Sequence, residues 1–124
     1  MINKLDLRPV INTEEFDEST EEEKFQSLTL RPILKLQNEL ILGIFKNCIL
    51  ESKSSFYTLS AEQKANFVLT TLQKNNVLKN KLIGMVIGMF SLEELVIYSA
   101  KSSLYNKRIT SLLIERIRSQ IKEL

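Results

Sequence analysis

Hydrophobic positions recur at helical spacing along most of the chain, and the clearest example lies between Ile33 and Leu50. Apolar residues there return every three or four positions and fall on one broad face, while Lys35, Glu39 and Lys46 fall on the opposite face. This spacing predicts an α-helix with one buried face. Apolar and polar residues do not alternate convincingly in any segment, so the chain is predicted to contain no strand.

Helix starts are marked by a hydroxyl residue followed three positions later by a carboxylate or an amide. Residues 19–23, 60–63 and 91–94 have this pattern, in which the hydroxyl accepts a hydrogen bond from a free backbone N–H. Pro32 disfavours helical backbone at the preceding residue. The first helix is therefore predicted to bend or stop near residues 30–31, with Pro32 in the first turn of the next helix.

The other boundaries follow from polar segments between the periodic ones. Residues 51–59 are rich in serine and residues 101–106 are polar, so both are predicted loops. Asn75-Asn76 is predicted to end or kink the helix that starts at residue 61. The last helix is predicted from Lys107 to Glu123.

A length of 124 residues fits one domain. Residues 1–18 show no sustained period and contain Pro9, which predicts an extended acidic leader. Residues 19–124 are predicted to form a single all-α domain of five or six helices, arranged as an irregular bundle or orthogonal array. The segment from Val77 to Phe90 is apolar nearly all round after Lys81, which predicts a central helix packed on several sides.

Two glycines lie one turn apart in that central segment, at positions 84 and 88. Glycine costs about 1 kcal/mol relative to alanine inside a helix. Gly84 and Gly88 therefore predict the close approach of another backbone. A gap beside them that admits a ligand or a partner helix is the alternative.

The composition removes most catalytic chemistry. The chain has no His, no Trp and one Cys, so the commonest general base and metal ligand is missing. Cys48 lies within an apolar stripe and is predicted to be a core thiol. The acids of residues 14–23 lack the ligand spacing and central glycine of a calcium-binding loop. We expect no catalytic residue, metal or cofactor, which argues against an enzyme.

Targeting signals are also missing from the pattern. The longest uncharged apolar run, Leu82 to Phe90, is far shorter than the roughly 20 residues of a membrane-spanning helix. The N-terminal residues contain no apolar run of signal-peptide length. A single Cys fits a reducing compartment. These features predict a cytoplasmic protein that does not contact membranes.

Charge is spread unevenly although the net charge is only +2. Residues 1–24 hold eight acids and three bases, whereas residues 25–124 hold seven acids and fourteen bases. This asymmetry predicts an acidic segment lying against a basic body. A basic surface for an anionic partner is the alternative.

The last helix carries four basic residues that are predicted to share its outer face: Lys107, Arg108, Arg118 and Lys122. They allow the hypothesis of a weak nucleic-acid binder. Glu93 and Glu94 argue against it, because they stand where a helix-turn-helix protein would face phosphates.

Three polar residues fall on apolar faces and form the candidate ligand site: Gln37, Arg116 and Gln120. A buried charge or amide needs a partner. One interpretation is a structural network in which Arg116 pairs with Glu39 or Glu94. The other is an internal polar pocket for a small anionic or amide ligand, in a small-molecule-binding protein or an unusual enzyme.

Apolar residues also occur away from the main stripes, at Leu36, Leu42, Phe67, Ile97 and Tyr98. Exposed apolar clusters commonly mark partner surfaces. The favoured interpretation is therefore a non-enzymatic helical interaction module that associates with itself or with another protein.

Three stretches resemble a family of small, uncharacterised bacterial helical proteins. They are residues 22–38, which contain Thr-Leu-Arg-Pro-Ile-Leu-Lys-Leu-Gln-Asn, residues 82–94, and residues 106–116. Some members carry a glyoxalase label, which implies metal-binding His residues on a βαβββ scaffold, and this chain has no His. The resemblance implies an all-helical fold and no established activity.

Overall fold

The computed structural model describes residues 4–7, 20–52 and 55–124, and these residues form helices and turns without a strand. The all-α prediction is therefore confirmed. The α-helices are α1 (Glu21–Phe25), α2 (Arg31–Leu36), α3 (Asn38–Glu51), α4 (Ala61–Lys74), α5 (Asn76–Ile87), α6 (Leu92–Ala100) and α7 (Ser102–Arg118). Short 3-10 turns occupy Lys4–Leu7, Phe56–Thr58 and Ile121–Glu123. The predicted leader, residues 1–18, lies mostly outside the described residues.

The first helical rod, which we define as residues 21–36, continues through residues 30–31, where the sequence predicted a bend or a stop. Thr20 caps α1 by accepting a hydrogen bond from the Glu23 amide at 3.2 Å. A π-helical segment, Gln26–Leu30, then joins α1 directly to α2, and Pro32 lies in the first turn of α2. Proline clashes with the carbonyl four residues before it in a regular helix. The wider π turn accommodates this clash, so the helix is distorted and does not stop.

A break between α2 and α3 was not predicted. The backbone of Gln37 leaves the helical region at φ −94° and ψ 12°. Hydrogen bonds still cross the break, because the Gln37 amide donates to Ile33 O at 3.0 Å and the Ile41 amide donates to Gln37 O at 2.9 Å. The predicted continuous helix over residues 33–50 is therefore two helices with a kink.

The later helix starts agree with the capping prediction. Ser60 and Ser91 each form a complete capping box, with Gln63 and Glu94 respectively. Asn75 ends α4 and caps α5, accepting from the Leu78 amide at 3.0 Å. The starts of α1, α4 and α6 thus lie where the hydroxyl residues predicted them, whereas α3 and α7 have no side-chain cap and begin at positions that were not predicted.

The predicted loop over residues 101–106 is wrong. Lys101 alone separates α6 from α7. Aromatic packing explains the short connection, because Tyr98 before the turn and Tyr105 after it are both buried, with ring centroids 6.4 Å apart. The phenol of Tyr98 also donates a hydrogen bond to Asn106 Oδ1.

Helix α7 lies at the centre of the domain and packs against α4, α5 and α6. Three aromatic rings pack around Tyr105 in its N-terminal half. Phe25 lies 4.7 Å from Tyr105 and 5.6 Å from Phe90, centroid to centroid. Phe90 in turn lies 5.6 Å from Tyr98. The buried residues of α7 are Tyr105, Ile109, Leu112, Leu113 and Ile117.

Helix α5 is less enclosed than predicted. It buries one face and leaves Val77 and Gly84 exposed to solvent. A Cβ added at Gly84 would meet nothing within 4 Å, and one added at Gly88 would meet only carbonyls of its own helix. The prediction that these glycines allow another backbone to approach closely is therefore wrong. The space beside Gly84 is open.

The acidic end of the described chain does lie against basic residues. Glu22 of α1 forms an ion pair with Lys101, and Gln26 Oε1 accepts a hydrogen bond from Arg108 at 2.9 Å. These contacts join α1 to the start of α7. The acids at positions 14–18 lie outside the described residues.

Within the described ranges, no helix is both long enough and apolar enough to cross a membrane. The apolar run in α5 is interrupted by the turn that precedes α6, so its hydrophobic residues serve the core of the domain instead.

Truncating a central side chain should be costly. Leu82 of α5 is fully buried, so we expect Leu82→Ala to lower the free energy of unfolding by about 2–5 kcal/mol. Leu92→Ala is the matched control, because Leu92 is 83% exposed and the expected change is within about 0.5 kcal/mol. Urea denaturation at a protein concentration too low for association measures both. Equal losses would contradict this core assignment.

The pair between Glu22 and Lys101 should make stability depend on pH. The hydrogen bond from Lys101 holds the pKa of Glu22 below its usual 4.5, and the same bond raises the pKa of Lys101 above 10.5. The ion pair therefore stabilises the fold between pH 4.5 and pH 10.5. Its contribution to stability is lost as the pH falls through the lowered pKa of Glu22.

We expect the wild type to melt at a higher temperature than Glu22→Gln at neutral pH, with the gap closing as the pH falls below 4.5. Glu21→Gln removes the same charge next to it without breaking the bond to Lys101. A gap that persists in acid, or an equal effect of Glu21→Gln, would contradict the assignment.

Candidate functional site

Two of the three predicted site residues meet in one polar network. Asn38, at the start of α3, exchanges two hydrogen bonds with Gln120, at 2.8 and 2.7 Å. Arg116 donates to the same Asn38 oxygen at 3.2 Å, and Gln120 also donates to the Arg116 carbonyl at 3.0 Å. The network therefore ties the end of α7 to the start of α3.

Gln37 does not belong to this network. Its amide nitrogen donates to Met85 O of α5 at 3.1 Å, and its buried Oε1 has no hydrogen-bond partner among the described residues. The prediction that groups the three residues requires a helix that runs unbroken through residue 37. The break there separates Gln37 from Arg116 and Gln120.

Asn38 is the member that sequence reasoning missed. It precedes Ile41, Leu42 and Phe45 by three, four and seven positions, which places it on the buried face of α3. This spacing could have identified it. An unbroken helix instead places Gln37 inward, one residue before Asn38.

The predicted acidic partners of Arg116 are wrong. Its guanidinium bonds to the neutral amide of Asn38. Glu94 instead accepts hydrogen bonds from the Thr29 hydroxyl and the Ser91 amide, both at 2.9 Å, and Glu39 is exposed. Burial, and then the nearby charge of Arg31, lowers the pKa of Arg116.

A small cleft opens beside this network, and we call it the Arg116 cleft. Its volume is about 220 Å³. It lies between α2 and the C-terminal half of α7, and the Arg31 guanidinium lies 3.6 Å from Glu115 at its edge. The lining residues are Arg31, Leu34, Leu112, Glu115, Arg116, Ser119 and Gln120.

The basic residues of the last helix do not form one surface. Arg108 is half-buried against Gln26, so the prediction that it lies on the outer face is wrong. Lys107 lines a groove between α5 and α7. Arg118 and Lys122 lie near the end of the helix beside Glu39 and Glu123.

Cys48 behaves as predicted for a thiol on an apolar face. It is half-buried and packs against the core, and burial, followed by the charge of Glu51, raises its pKa. A raised pKa keeps the thiol protonated and a poor nucleophile. The described residues contain no group of carboxylate or thiol side chains placed to hold a metal ion.

A second candidate site is apolar and lies on the outer side of α6. We call it the α6 face and define it by Leu92, Leu95, Val96 and Ile97, all of which are exposed. Beside Ile97, a pit of about 340 Å³ lies between α6 and the first rod. The pit is lined by Glu21, Lys24, Phe25, Leu28, Thr29 and Ile97.

The five apolar residues that were predicted to lie outside the core differ in their exposure to solvent. Leu36 and Ile97 are exposed, Leu42 and Tyr98 are buried, and Phe67 packs against the core. Of the twelve large apolar residues that are exposed in the described parts of the chain, four lie on α6.

Comparison with known proteins adds nothing to these two sites, because no family model, curated protein or solved structure matches the chain. The resemblance to small bacterial helical proteins stays a prediction. The geometry of the α6 face and of the Arg116 cleft is what bears on function.

The polar network should be measurable as coupling between side chains. We expect Asn38→Ala to cost about 1–3 kcal/mol, because it leaves part-buried groups of Arg116 and Gln120 without a partner. Asn47→Ala, at an exposed position of α3, is the matched control. In a double-mutant cycle the losses from Asn38→Ala and Gln120→Ala should not add, whereas additive losses would contradict the network.

Proposed function

We propose that the protein is a non-enzymatic interaction module that associates with itself through the α6 face. The observation that carries this proposal is the exposure of Leu92 and Val96, which are 83% and 71% accessible to solvent on one side of α6. Single exposed apolar residues are common on soluble proteins, but a contiguous group is typical of an interaction surface.

The position of α6 explains why this surface is open. Of the nine residues of α6, all of which the structure describes, Tyr98 is the one that is buried. At about 100° per residue, Leu92 and Val96 lie on the side opposite Tyr98. The helix thus turns its aromatic residue into the domain and its aliphatic residues to solvent.

A second copy of the chain fits this surface because the surface has two complementary parts. The exposed side chains of Leu92 and Val96 project from α6, and the pit beside Ile97 is lined by Phe25 and Leu28. A two-fold interface requires that one patch fit itself. A patch that holds both a projection and a pit can do so.

Charge at the edge of this patch is also compatible with pairing of two copies. Glu21 and Lys24 line the pit, and Glu93 is exposed on α6. A patch rimmed by both signs can place a lysine of one copy near a glutamate of the other, whereas a rim of one sign would repel itself.

The described surface supports nucleic-acid binding less well. Arg108 is half-buried against Gln26, and Arg118 and Lys122 lie beside acidic residues. Affinity for nucleic acid depends on several cations that reach phosphates together.

We also propose a cytoplasmic location, which the single thiol of Cys48 supports because reducing compartments favour free thiols.

Val96→Lys tests the self-association directly. In sedimentation experiments over a micromolar concentration series, we expect the molecular mass of the wild type to be twice the 14.3 kDa of one chain. Val96→Lys should weaken the dimer by about tenfold or more, because a lysine would have to be desolvated in the interface. Val77→Lys is the matched control, because Val77 is 77% exposed on a different helix.

Circular dichroism and thermal melting of both variants check that each monomer is folded. A wild type that sediments as a monomer throughout the series would overturn the proposal. An equal effect of Val77→Lys would also overturn it, since the interface would then not lie on the α6 face.

A further inference from the structure

We propose that the Arg116 cleft binds a small oxyanion, the carboxylate or phosphate group of a compact ligand. This inference is independent of the α6 face and would stand if the protein were a monomer. It rests on the charge, the geometry and the size of the cleft.

Arg116 has no ion-pair partner among the described residues, although the nearby carboxylate of Glu115 attracts it. The half-buried guanidinium bonds to the amide oxygen of Asn38, which carries no charge. Removing a cation from water is costly unless an anion compensates for it. The residues that line the cleft supply two guanidinium groups, from Arg31 and Arg116, and one carboxylate, from Glu115.

The existing ion pair is easily displaced. Arg31 and Glu115 are 3.6 Å apart, and their side chains are 42% and 66% exposed. Exposed pairs of this kind contribute about 0–1 kcal/mol. An incoming anion can therefore bond to Arg31 without breaking a strong interaction.

The network behind the cleft holds Arg116 in place before any ligand binds. Asn38 bonds to one terminal nitrogen of the guanidinium, and Gln120 bonds to Asn38 and to the Arg116 backbone. A guanidinium has five N–H donors, which suit the two oxygens of a carboxylate or phosphate. Among the described residues, no other hydrogen bond to this guanidinium is present, so donors are free.

The size of the cleft limits the ligand. Its volume of about 220 Å³ is below the roughly 300–1,000 Å³ of sites for larger organic ligands. Leu34 and Leu112 form its apolar lining. A compact anion with a short apolar part fits these dimensions.

Inorganic phosphate and acetate are the probes for the test, because each presents one of the two oxyanion groups. Each is titrated into the full chain at constant ionic strength, against sodium chloride, while amide resonances of α2 and α7 are followed by NMR. We expect saturable shifts with one or both anions, and the stronger binder identifies the preferred group.

Five variants distinguish binding in the cleft from non-specific electrostatic attraction. Arg116→Gln and Arg31→Gln should each weaken binding about tenfold, the loss expected for a hydrogen bond to a charged group. Arg118→Gln removes the same charge outside the cleft and should change binding little. Glu115→Gln should strengthen binding, because it removes the competing carboxylate, and Glu62→Gln on α4 is its matched control.

Three results would overturn the proposal. The first is the absence of saturable shifts with either anion. The second is an equal loss with Arg118→Gln and Arg116→Gln, and the third is an equal gain with Glu62→Gln and Glu115→Gln. If Arg116→Gln does not fold, Arg31→Gln decides the question, because Arg31 lies at the edge of the cleft with an exposed side chain.

Discussion

Helix α7 must bury one apolar face along its whole length, and the positions of the surrounding helices depend on that requirement. Tyr105 and Ile117 stand near its two ends, and both are buried. The helices α4, α5 and α6 pack against it. Because Arg116 and Gln120 flank Ile117, burial of this face also draws their side chains against α3, where Asn38 receives them. Apolar packing thus places the polar network, and the network then joins the end of α7 to the start of α3.

The sequence predicted the helix starts that are capped by a hydroxyl residue, because the physical cause of each is local. A hydroxyl that accepts from a backbone N–H three residues later works within one turn, and Ser60 and Ser91 do so as predicted. The breaks were harder to predict. Gln37 interrupts a helix without proline or glycine, and its side chain bonds to Met85, 48 residues away in the sequence. A break that depends on such a distant contact has no local signal.

The same distinction between local and distant causes explains what was predicted of the two sites. Periodicity identified Arg116 and Gln120 as inward polar residues, because their own helix is regular. The spacing of Asn38 also marks it as an inward residue of α3, but a pattern within one helix does not show which distant side chains it meets. For α6 the pattern is apolar on nearly every side, so periodicity could not say which side faces solvent. The ring contacts of Tyr98 with Phe90 and Tyr105 settle that choice.

The chemical identity of residue 38 links the network to the cleft. An aspartate at this position would have nearly the same shape as asparagine and would neutralise Arg116 where it lies. The asparagine orients the guanidinium through one oxygen, while its amide nitrogen bonds to Gln120. The neutral amide of Asn38, held by Gln120, thus positions the guanidinium without adding a negative charge. A half-buried cation without a counter-ion is costly, and the neutral arrangement lets an anion from solution take the place of that counter-ion.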